Sequence, residues 1–140
     1  MQQFQDEKWP TKRWPNFSPG EFRCSTSGET WVNLPFIDLL QHLRVSVGFA
    51  LPISSGYRSI FHPIEKAKTD AGKQPGAHIT GCAADLLVSG DKAWAVVNKA
   101  TSLGFTGIGI SQAGPHNTRF IHLDTLPNGD GQPRPTVWSY

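Results

Sequence analysis

"GAHITGCAADLLV", residues 76–88, joins a small-residue run to an apolar strand and carries two polar side chains, His78 and Asp85. A strand built only for the core has no use for both. "AADLLV" reads as a short buried strand, and His78 sits in the loop before it. Loops at strand ends are where sites tend to be built. The question is what partner these two groups have elsewhere in the chain.

The flanking sequence supplies the frame. "PFIDLLQHLRVSVG" (35–48) has apolar residues at 36, 37, 39, 40, 43 and 47, which predicts a helix stopped at Gly48. "LPISSGYRS" reads as a short strand running into a turn at Gly56, and residues 61–76 read as a loop. "GDKAWAVVNKATSLG" predicts a helix closed by Gly104, "FTGIGIS" a strand, "RFIHLDT" a strand, and the tail from Pro127 an irregular segment. Helices and strands alternate without a regular βαβ repeat. The fold class is therefore α+β, a single domain over 1–140 with a small antiparallel sheet flanked by helices.

Residues 1–16 form an N-terminal arm before a core of 17–140. "KWP" and "RWP" recur in it, and each proline biases the preceding tryptophan toward extended backbone. The arm is expected to pack over the domain, the alternative being an aromatic ligand platform. Ser18 before Pro19 and Glu21 reads as the cap of a short turn.

Composition limits the function. The chain has 140 residues, 38% hydrophobic and 17% charged, against roughly 25% charged in ordinary soluble domains. A net charge of +2 gives no electrostatic case for nucleic acid. There is no signal-type run at the N-terminus and no stretch near the roughly 18 apolar residues of a membrane span. A soluble monomer is expected. Cys24 and Cys82 either pair or stay free, because a chain of this size builds a core without a disulfide.

In "RFIHLDT", Phe120, His122 and Asp124 alternate onto one strand face. Two histidines and a carboxylate from separate elements, His78, Asp85 and His122, have the composition of an open, catalytic zinc site. By spacing alone this signal is weak, and capping and core polar roles are the more ordinary use of such residues. Cys82 lies between two of the three, but an odd number of residues from Asp85, and is expected to pack instead.

Four motifs then fall in a familiar order: "SGYRS" (55–59), "HITGCAADL" (78–86), "GIGI" (107–110) and "FIHLDT" (120–125). The chain resembles the D-alanyl-D-alanine carboxypeptidase and hedgehog-like zinc peptidases, closest to their small bacterial and phage murein peptidases. "FSPGEFRC" and the Arg-Pro…Trp ending are similar to that branch, so the resemblance covers about 17–138. It implies Zn2+ held by His78, Asp85 and His122, with water in the fourth position. It places Arg58 beside the site, binding a substrate carboxylate or carbonyl, work that suits a permanently charged, fork-shaped guanidinium. The implied reaction is hydrolysis of an amide in a peptidoglycan stem or crosslink peptide by a D-Ala-D-Ala carboxypeptidase or endopeptidase. The setting is the cell wall, as a phage endolysin made in the cytoplasm or as a periplasmic enzyme whose signal was trimmed. An inactive zinc-containing wall- or protein-binding module is the alternative. Many relatives carry an acid three residues before the last histidine, where this chain has Arg119. Asp124 is then either the base or the residue orienting His122, and His116 is the other candidate for proton transfer. The glycines of "TGIGIS" are expected to allow close approach at the site wall.

Overall fold

The computed structural model describes residues 1–140. In chain order the elements are β1 (Gln2–Gln3), β2 (Trp31–Val32), α1 (Leu34–Val47), β3 (Ile53–Ser55), α2 (Pro63–Asp70), β4 (Ala83–Leu86), α3 (Gly90–Leu103), β5 (Gly107–Ser111), β6 (Phe120–Asp124) and β7 (Thr136–Ser139). Helix α1 starts where Asn33 Oδ1 accepts from Phe36 N at 3.1 Å and stops on Gly48, whose φ of 76° is left-handed. Its stripe of Phe36, Ile37, Leu40 and Leu43 is fully buried. Ala93, Val96 and Ala100 of α3 complete the helical layer against the sheet.

The main sheet has the order β3-β4-β6-β5-β7. Its first three pairings are antiparallel as expected, and β7 adds parallel to β5, which corrects the irregular tail. The geometry explains the direction. Strand β6 finishes beside the start of β5, with Gly107 opposite Asp124. The chain loops back at that same end and enters on the other side of β5, where Thr136 N bonds Thr106 O.

Helix α2 is the second departure, since residues 61–76 read as a loop. His62 Nδ1 caps it by accepting from Ile64 N, and Pro63 pre-sets its first turn. The one residue it buries is a carboxylate, Glu65, so no apolar period marks it in the sequence.

The arm belongs to the core. β1 pairs with β2, and Trp9 and Trp14 are buried in a cluster with Phe4, Phe17 and Phe22. Trp14 Nε1 donates to Asp38 Oδ1 at 2.8 Å, and Arg13 grips the same carboxylate with two nitrogens. These tryptophans therefore pack and do not form a platform. Both cysteines are free; Cys24 Sγ accepts from Ser59 N, and Cys82 packs against the core. No helix is long and apolar enough to cross a membrane.

Candidate metal centre

β4 and β6 build two corners of the site. Their register sets Asp85 opposite His122, and directly paired residues in a sheet project to the same face. His122 Nδ1 stands 2.9 Å from Asp85 Oδ1. The third corner comes from the 3-10 turn Ala77–Thr80, which ends on Gly81 with φ 69°. Gly81 packs on the backbone of Val32 and Asn33 so closely that a Cβ would lie 3.1 Å from Asn33 N. That contact anchors the turn and aims His78 Nε2 to within 3.4 Å of Asp85 Oδ1. One ligand atom from each of His78, Asp85 and His122 lies within 4.8 Å of the others, and all three residues are buried.

The far side of each imidazole is tied to an acceptor. His78 Nδ1 donates to Gly56 O at 2.7 Å, and a carbonyl only accepts, so the hydrogen is on Nδ1 and the lone pair on Nε2. His122 Nε2 donates to Asp124 Oδ2 at 3.0 Å, which turns Nδ1 toward Asp85. Fixing the outer nitrogen of a histidine selects its tautomer and orients its ligating nitrogen. Burial pushes the His122 pKa down, but the carboxylates of Asp124 and Asp85 on its two nitrogens outweigh this and raise it. Burial likewise disfavours ionised Asp85, yet the hydrogen bond with His122 and the His78 imidazole beside it hold its pKa far below the usual carboxylate range.

Asp124 is fully buried and its oxygens are fully engaged. Oδ1 accepts from Arg134 Nε (2.9 Å) and Leu126 N (3.2 Å), and Oδ2 from Arg134 Nη2 (2.7 Å) and His122. Although burial opposes its ionisation, His122 and Arg134 bring its pKa down to about 2. Gly107 makes room for this group, since a Cβ there would overlap the carboxylate. Gly109 does the same for Trp138, whose ring would lie 2.8 Å from such a Cβ. Both glycines thus have the close-approach role expected of them.

Arg58 stands at the mouth of the centre, with Nη2 3.6 Å from Asp85 Oδ2, Nη1 3.4 Å from Glu65 Oε1 and Nε donating to Ser55 Oγ. The cleft around it measures about 560 Å³. Ile64, Lys68, Gly76 and Ala77 line one wall; Phe120, Trp138 and Tyr140 line the other. His116 is exposed on the 3-10 turn His116–Thr118, 3.5 Å from Arg119 Nη1, and does not line this cleft. The structure therefore brings together Arg58, His78, Asp85, His122 and Asp124, but not His116. Glu65, Lys68 and Tyr140 are site residues that sequence reasoning missed. Arg134 and Trp138 were visible only as part of a family-like ending, without roles.

The donor set of two imidazoles and one carboxylate, with both outer nitrogens secured, fits a zinc ion with an open position. A family model for Peptidase M15 matches residues 15–124, and the chain belongs to that family. Peptidases of this family are zinc-dependent and act on peptides, and His78, Asp85 and His122 are placed for the metal. No curated protein matches the chain significantly.

Proposed function

Proceeding from that membership, we propose that the chain is a zinc-dependent peptidoglycan peptidase that hydrolyses an amide bond in the stem or crosslink peptide. The observation that carries this reading is the His78–Asp85–His122 set, oriented from behind and opening onto a cleft beside Arg58. Bound zinc supplies Lewis acidity and a water acidified toward a pKa of about 7. The protein's own residues do the rest. Arg58 receives a substrate carboxylate or carbonyl oxygen. Asp124 keeps a proton on His122 Nε2, and Arg134 keeps Asp124 ionised, so this pair positions the ligand. A carboxylate has about four acceptor sites and Asp124 uses four, which argues against its service as the base. His116, exposed outside the cleft, is given no part. The reading places the chain at the cell wall, in phage lysis or in the periplasm.

The same saturation of acids favours a second reading, a zinc-containing module that binds wall peptides without cutting them. One experiment separates the two. Purified protein is incubated with crosslinked sacculi, with and without a chelator, and soluble products are identified by mass. New peptide termini that vanish with chelator, and with His78→Ala or His122→Ala, support the peptidase. Binding without products establishes the module instead.

A further inference from the structure

Glu65 is a fully buried carboxylate that zinc ligation does not use. Its Oε2 accepts from Gly76 N at 2.6 Å, and its Oε1 is shared by Arg58 Nη1 and Lys68 Nζ, each at 3.4 Å. Burial opposes its ionisation, yet the Gly76 amide and the two cations hold its pKa below the ordinary value. Glu65 therefore faces two cations; Arg58 also faces Asp85 at 3.6 Å, whereas Lys68 has Glu65 alone. Both cations line the cleft, and both reach Glu65 only at the long end of hydrogen-bond range. Arg134, the third cation there, is spent on Asp124 and Pro133 O. Lys68 has no other acidic partner.

Gly76 lies beside both groups: a Cβ there would stand 2.5 Å from Lys68 Nζ, at the flexible end of that side chain, and 3.2 Å from Glu65 Oε1. Glu65 already accepts from the Gly76 amide and faces Arg58, so Lys68 is the least committed member of this cluster, and it lines the cleft.

We propose that Lys68 is a specificity-determining residue: with Arg58 it forms a two-cation seat for a free carboxylate on the substrate, one step along the cleft from the metal ligands. This inference rests on the peptidase reading above. It makes the preferred substrate a peptide with a free carboxylate flanking the scissile amide, and amidation of that carboxylate a way to escape cleavage.

The test uses matched stem peptides bearing a carboxylate or a carboxamide, at the C-terminus and at the α-position of the γ-linked glutamyl residue. The wild-type enzyme should favour the carboxylate at one of these positions by on the order of tenfold in kcat/KM, the worth of one charge-assisted hydrogen bond. Lys68→Met should erase most of that preference through KM for the carboxylate peptide, and Lys68→Arg should restore it. A preference unchanged in Lys68→Met, or no preference in the wild type, overturns the inference and leaves the peptidase standing. Cleavage of no peptide by the wild-type enzyme overturns both.

Discussion

Replacing Asp124 by Asn decides whether this carboxylate works on the proton or on the ligand. Asn has the same shape, so Leu126 N and one arm of Arg134 keep an oxygen to bond. The charge that balances Arg134 and faces His122 Nε2 is lost. If Asp124 orients His122, the damage falls on the metal. Loss of such an outer partner typically costs 10–100-fold in metal affinity, about 1.4–2.8 kcal/mol at 1.4 kcal/mol per tenfold. With zinc saturating, turnover should stay within about tenfold of wild type. A general base behaves oppositely: zinc affinity holds while the rate falls by about 10²–10⁴. The assay is a zinc titration against a chromogenic chelator, paired with muropeptide hydrolysis at saturating zinc. Some loss of folding stability is common to both roles, because Arg134 is left partly unpaired, and so a melting curve does not discriminate. Wild-type zinc affinity in D124N, together with a hundredfold or greater loss of turnover, would refute the positioning role.

Two further outcomes follow from the packing and the electrostatics. Trp14→Ala removes a fully buried indole that touches Phe4 and Trp9 and donates to Asp38; it should cost about 3–5 kcal/mol in urea unfolding, and a loss below 1 kcal/mol would show that the arm is not part of the core. Zinc binding should be proton-coupled. His122 has a pKa raised above 6.5 in the metal-free protein, so near neutral pH the metal competes with a proton, and affinity rises with pH until that group is deprotonated. Calorimetry at pH 7 in two buffers of different ionisation enthalpy should detect a released proton, and identical heats in the two would contradict the hydrogen bonding assigned to His122.

The parts of this fold that were legible in the sequence are those whose signals are local. Helices α1 and α3 show an apolar period and end on left-handed glycines, and β4 and β6 show strand patterning around Asp85 in the one and His122 and Asp124 in the other. Helix α2 was not legible because hydrophobic periodicity cannot report a helix whose buried residue is Glu65. Strand β7 is four residues long and owes its existence to β5, nearly thirty positions upstream. His116, six residues before His122, was a candidate because some members of the resembling family carry an acid near that position. A strand advances about 3.3 Å per residue, however, and β6 already reaches the cleft wall at Phe120, so residues before it are carried away from the metal.

Arg134, Gly56 and Glu65, whose roles at the site were not legible in the sequence, share one property: they act behind the groups that touch metal or substrate. Arg134 holds Asp124, which holds His122; Gly56 O holds His78; Glu65 holds Arg58. Apart from the Asp124–His122 pair, which shares one strand, these links involve elements or loops without a local signature. Each also leaves its front-line group with one permitted orientation. A carboxylate already committed to this work is a poor proton acceptor, since every lone pair that fixes a neighbour is unavailable to a water. Rigidity and acid–base capacity thus compete for the same oxygens, and at Asp124 the four short contacts show that rigidity has won.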